Sequence, residues 1–335
     1  MMGSLAPCGR FDRWRTSWRR ARGAKLRVYP VVLAACSLGM IQNVSAWWTG
    51  SHTIVARAAA EALPNDVPAF FRQSGDTLAY FAADPDLWKN PETVHLRDAD
   101  RPEHFLDWEL LGGRPLPPLR WQYVALCTKL RKSPREMGLL PYALVEWTER
   151  LALAFAEQRR WPDNPNVRQK CLVYGGILSH YAADLAQPLH LTVDYDGRTR
   201  PGLPSPRTGI HSRMDALIQA AQIHPREVSS QVTPTIFRDL FTSTVQQVVF
   251  NRRAIDTVYA LEGEMPFIQE GKGVDPSWRP SVRVREFALD RARSAAFLTA
   301  SCWLTAWARS GEIEPHAPLH DTSVELDTPG RPTTR

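Results

Sequence analysis

The sequence predicts an all-α protein, a single multi-helix domain over residues 47–311. Apolar residues recur at helical spacing along most of the chain. No run alternates apolar and polar residues between tight turns, and no segment repeats at solenoid periods. The chain has 335 residues, 44% hydrophobic and 23% charged, enough to bury one large core. This balance excludes a mainly disordered protein, a collagen-like repeat and a multispanning membrane protein.

Residues 1–46 read as an address segment rather than part of the fold. Arg10, Arg13, Arg15, Arg19, Arg20, Arg22, Lys25 and Arg27 stand there against one acid, Asp12. An apolar run follows from Val28 through Val31, Val32, Leu33 and Leu38 to Ile41, and Val44-Ser45-Ala46 supplies small residues at a cleavage point. That order is the layout of a secretory signal peptide, so a secreted or periplasmic chain cut near Ala46 is expected. The run is shorter than the about 20 apolar residues of a spanning helix, so no stable membrane span is expected. Arg19-Arg20 is compatible with twin-arginine export, and Leu33-Ala34-Ala35-Cys36 with a rival cut that leaves a lipid on Cys36. Of 41 basic and 35 acidic residues, eight and one fall in this segment, leaving 33 against 34 beyond it. The pI of 9.2 therefore says nothing about the partners of the folded part.

The first helix is predicted over 51–63, with Ile54, Val55, Ala58, Ala59 and Ala62 on one side and a stop at Leu63-Pro64-Asn65-Asp66. Helices over 118–131 and 139–160 follow, the second amphipathic through Leu140, Leu144, Trp147, Leu151 and Phe155. Residues 166–187 make another, halted by Pro188, which cannot continue a helix. The stretch 194–208 is rich in Gly, Pro, Ser and Arg and reads as a surface loop. Helices over 209–222, 234–261 and 281–309 complete the set, and the polar tail 312–335 reads as disordered. Cys8 and Cys36 go with the leader; Cys127, Cys171 and Cys302 form no CxxC pair, and either one disulfide with one thiol or three buried thiols fits them.

The chemistry sits in the histidines and aspartates. His180 and Asp184 are four apart on a predicted helix, which puts both side chains on one face, a turn apart, where they can share a metal ion. His211 and Asp215 repeat the spacing. His190 lies just past Gln187-Pro188-Leu189, where the chain is redirected. Imidazole with carboxylate suits zinc, and a helix bundle holds such ligands inward. The apolar neighbours Ile177, Leu178, Ala182 and Leu185 would bury this face, and a buried carboxylate needs a cation.

In order, Trp47 with His52, Ala82-Ala83-Asp84, His104-Phe105-Leu106-Asp107, the block from His180 through Asp184 and Gln187-Pro188-Leu189 to His190, and His211 with Asp215 resemble one superfamily. It comprises the bacterial zinc phospholipases C and the single-strand-specific zinc nucleases of fungi and plants. The resemblance implies an all-α fold around a trinuclear zinc cleft. It implies that Asp84, His104, His180 and Asp184 hold one ion, that Asp184 bridges to a second held by His52 and the amino group and carbonyl of an N-terminal Trp47, and that His190, His211 and Asp215 hold a third. Cleavage after Ala46 would free that amino group, so leader and ligand set agree. The resemblance further implies that a metal-activated water attacks phosphorus, with Asp84 as the catalytic residue that orients or deprotonates it. Asp86 and Asp107 read as supporting or capping residues, and His95, His224 and His316 as surface residues.

The sequence contains no GxSxG, HExxH, Walker loop or GxGxxG. The Trp47-to-His52 spacing and Asp215, where the phospholipases usually carry Glu, resemble the nuclease branch. Ala82-Ala83-Asp84 and Gly209-Ile210-His211-Ser212 resemble the phospholipases. Pro85 and Arg101 stand where the lecithin-cleaving type places aromatics that hold choline. Single-stranded nucleic acid is therefore the favoured substrate, phospholipid the alternative, and a secreted binding protein with structural zinc the alternative of another class. No protein partner is implied.

Overall fold

A computed structural model describes residues 49–198, 203, 205–269 and 273–315, which belong to the second of two units into which the chain divides, Asn43–Arg335. The expected leader, Trp47 and His316, and all but the first four residues of the expected tail, lie outside the described residues.

The described helices run α1 (Thr49–Glu61), α2 (Ala69–Arg72), α3 (Gly75–Phe81), α4 (Asp84–Trp88), α5 (Val94–Asp100), α6 (Arg120–Lys129), α7 (Pro134–Met137), α8 (Leu140–Arg160), α9 (Pro165–Ala186), α10 (Ile210–Ala220), α11 (Pro225–Ser229), α12 (Leu240–Arg252), α13 (Ile255–Ala260) and α14 (Val282–Arg309). Tight 3-10 turns occupy Arg101–His104, Trp108–Leu111, Pro188–Leu191 and Glu262–Glu264. Among the described residues the sole sheet is an antiparallel pair of two-residue strands, β1 (Ile268–Gln269) and β2 (Gly273–Val274). The architecture is all-α, and none of these helices is long and apolar enough to cross a membrane.

The three long helices α8, α9 and α14 pack on one another, with α1 laid against α9 and α14. Two of the long helices, α9 and α14, start at a capping side chain. Asn164 caps α9 by accepting from the N–H groups of Asn166 and Val167, and Pro165 fits the first helical position, where no hydrogen bond is lost. Ser281 caps α14 in the same way. The buried rings of Phe71, Phe155 and Trp303 meet edge to face, with Phe71 centred 5.0 Å from Phe155 and 5.3 Å from Trp303. From Gly175 to Ala186 every residue of α9 is buried, so polar side chains on this stretch have no water to rely on.

Two glycines set how close α3 comes. A Cβ on Gly175 would meet the Phe71 ring at 2.6 Å, and one on Gly176 would meet the Phe81 Cβ at 2.4 Å and the Leu78 carbonyl oxygen at 2.8 Å. The main chain just after α3 therefore lies directly on α9, which matters for the site below.

The expected 234–261 helix is two helices with an extended lead-in. Thr235 and Phe237 donate their N–H groups to Ser301 and Thr305 hydroxyls of α14, which holds 234–239 out of the helix. Asp239 then caps α12 through Thr242. At the other end the buried Asn251 side chain is held by Arg291 and Ser294 of α14, and the chain turns before α13. Cys127, Cys171 and Cys302 are all buried and free, which settles the open cysteine reading in favour of three thiols.

Candidate metal centre

Five elements deliver expected side chains to one place. α1 brings His52, the Arg101–His104 turn brings His104, α9 brings His180 and Asp184, the Pro188–Leu191 turn brings His190, and α10 brings His211 and Asp215. α4 brings Asp86. Ligand-capable atoms gather in three groups, each within 4.8 Å: His52 with His180 and Asp184; Asp86 with His104 and His180; His190 with His211 and Asp215. Asp84, at the first position of α4, is in none of them, and Asp86 takes the place expected for it. Burial raises the Asp84 carboxyl above its ordinary value.

Asp184 is the hub, and its two oxygens face different neighbours. Oδ2 lies 2.8 Å from His104 Nδ1 and 3.2 Å from His180 Nε2. Oδ1 lies 3.6 Å from His52 Nε2 and 3.6 Å from His190 Nδ1. The Asp215 carboxylate is 3.6 Å from His190 Nε2 and 3.3 Å from His211 Nε2. Gln187 donates to it at 2.7 Å. The His190 and His211 rings stack with centroids 4.9 Å apart, as do those of His52 and His180 at 3.9 Å.

The outward bonds of the rings decide where their protons sit. His180 Nδ1 faces the Ala82 carbonyl at 2.8 Å, and His190 Nδ1 faces the His104 carbonyl at 2.7 Å. Carbonyl oxygens only accept, so both Nδ1 atoms carry the hydrogen. His104 Nε2 likewise donates to Asp100 Oδ2 at 2.7 Å. The inward atoms His104 Nδ1 and His180 Nε2 meet at 3.0 Å, both beside the Asp184 carboxylate. Imidazole nitrogens and a carboxylate converging on one buried point are a donor set suited to zinc. The residues fit a metal ion.

The local field has the same sense. Burial acts to raise Asp184, yet the charges of His180 and His190 and the bonds from His104 and His180 hold it well below the usual carboxylate range. Burial, then the neighbouring His180, holds His52 well below its ordinary value, so its ring is neutral and able to ligate. Burial lowers His211 too. Lys89 pairs with Asp86; burial opposes its charge, but Asp86 and Asp184 outweigh that and raise it. Of the ligand side chains, that of Asp184 is 1% exposed and that of His211 29%, so the centre opens toward α10.

Asp107 does not cap the Trp108–Leu111 turn and joins none of the groups; burial, with Glu109 adding and Arg252 opposing, pushes it up to about 7. His95 and His224 are exposed, as expected. Trp88 and Trp108 are partly buried and pack against the core. Sequence reasoning missed Asp100 and Tyr181, although Asp100 and His104 show the same four-residue spacing as His180 and Asp184.

No family model matches the chain, nor does any curated protein. Among solved structures, alpha toxin from Clostridium absonum is similar, with a TM-score of 0.36 and 15% identity over 79% of this chain. The chain spans 66% of that structure's length, and no residue role is carried across from it.

Proposed function

We propose that the chain is a zinc-dependent phosphoester hydrolase. The observation that carries this reading is the buried two-sided Asp184 carboxylate, with His104 and His180 on Oδ2 and His52 Nε2 on Oδ1, the disposition of a bridging ligand. His104, His180 and Asp184, with Asp86 in place of Asp84, would hold one ion. His52 and Asp184 would hold a second, completed by the amino group and carbonyl of Trp47 after export and cleavage behind Ala46. His190, His211 and Asp215 would hold the third.

Zinc at such a centre supplies Lewis acidity and brings the pKa of a bound water toward neutrality. The chain's own groups do the rest. Asp184 holds the two halves of the centre in register. Gln187 fixes the Asp215 carboxylate while its own carbonyl takes the Leu189 N–H, so His190 and Asp215 are set by one amide. Lys89 places a positive charge beside the centre, fit to receive an anionic phosphate oxygen. Asp84, at the N-terminal end of α4, remains the proposed base for the water.

Single-stranded nucleic acid is the first substrate to test, because Pro85 and Arg101 replace the aromatics that a choline headgroup needs. A second reading, phospholipid hydrolysis, is favoured by the exposed Tyr80, Leu87, Val94 and Leu96 on α3, α4 and α5, an apolar cluster in sequence around Asp86. A side-by-side assay decides. The zinc-loaded chain beginning at Trp47 is given bis-p-nitrophenyl phosphate, single-stranded DNA and phospholipid vesicles, with and without chelator. Chelator-sensitive cleavage of the first two is the expected outcome. Cleavage of the vesicles alone moves the assignment to the second reading. Tight zinc without turnover of any of the three leaves a binding protein with structural metal.

A further inference from the structure

The geometry points to Asp100 as a positioning residue that, joined to Tyr181, fixes the His104 ring for metal binding; this rests on the zinc reading above. Asp100 ends α5 and is 6% exposed. Its Oδ2 accepts from His104 Nε2 at 2.7 Å and its Oδ1 accepts from the Tyr181 hydroxyl at 2.6 Å. Tyr181 follows His180 on α9 and is itself buried. His104 is held between two carboxylates, Nε2 on Asp100 Oδ2 and Nδ1 on Asp184 Oδ2 at 2.8 Å, so Asp100 fixes the ring with Nδ1 aimed at Asp184 and His180.

The outer partners of the neighbouring rings differ in charge. His180 and His190 donate outward to neutral main-chain carbonyls, whereas His104 donates to a buried carboxylate. A carboxylate behind an imidazole makes the inward nitrogen the more basic donor. The position formed by Asp86, His104 and His180 therefore depends on a residue that contacts no ion. His104 also orients its neighbour group, since its carbonyl takes the His190 proton and the Leu106 N–H bonds the His190 carbonyl at 2.8 Å. Asp100 thus steadies both ends of the centre through one residue. The Tyr181 hydroxyl occupies the second oxygen, so the carboxylate cannot rotate away from His104.

Asp100→Asn keeps the shape and removes the charge, and two readouts follow it. The first is zinc affinity by competition with a chromophoric chelator. One zinc position should weaken 10–100-fold while the others stay within about twofold. Tyr181→Phe should weaken the same position by less. The second is the imidazole nitrogen spectrum of the metal-free chain, in which the His104 signals should move in Asp100→Asn while those of His211 stay in place. Wild-type affinity at every position, with the His104 signals unmoved, overturns the inference. A wild-type chain that binds no zinc overturns the hydrolase reading instead, and the spectrum then decides the role of Asp100 alone. Should Asp100→Asn fail to fold, Tyr181→Phe carries both readouts.

Discussion

Asp84 and Asp86 are two residues apart, which on a helix is a rotation of about 200°. Asp86 falls in a ligand group with His104 and His180, and Asp84 falls in none. The Ala82-Ala83 context points to Asp84, but where α4 begins, and hence which carboxylate turns inward, is set by its packing rather than by the motif. The His180-to-His190 block was legible because a four-residue spacing and a proline stop are local facts. Ring orientation was not, since it depends on carbonyls of Ala82 and His104, 98 and 86 residues away in sequence from the rings they hold. The two aspartates are separable by substitution. Asp86→Asn should lower zinc affinity at one position by at least about 10-fold. Asp84→Asn should leave zinc content unchanged and depress turnover, as metal analysis beside the bis-p-nitrophenyl phosphate assay would register.

α8, α9 and α14 fall within a residue or two of their expected bounds because long helices repeat their apolar period often enough to be read. α2 to α5 have four to seven residues each, too few turns for a period, and their positions come from what they pack against. The break between α12 and α13 was illegible for a related reason: it depends on Arg291 and Ser294 from a distant helix. The Gly175-Gly176 pair is where element packing reaches the chemistry. Gly176→Ala has no room for its methyl and should cost about 1–3 kcal/mol in a denaturant titration. Pushing α3 outward would also draw the Ala82 carbonyl off His180, so zinc affinity should fall together with stability. A variant that loses stability but keeps zinc affinity would break that link.

Across the whole molecule, the ligand groups tie α1, α4, α9, α10 and two tight turns to one point. A bound ion would be the common partner of all of these elements, so metal removal should loosen them together. Each zinc position at 100 times its Kd should contribute about 2.7 kcal/mol to folding. Chelation should lower the Tm, and zinc, but not magnesium, should restore it; an unchanged Tm in chelator would mean that the packed helices alone hold the site open. Composition and periodicity announced an all-α body, yet not this dependence, which arises from a meeting of residues spread from His52 to Asp215. The three interior thiols have a practical corollary. Burial pushes Cys171 and Cys302 up to about 12, so both stay protonated and inert. Among the described residues no covalent cross-link has to form, so nothing in this body waits for an oxidant. Its Tm should therefore be the same with and without a reducing agent.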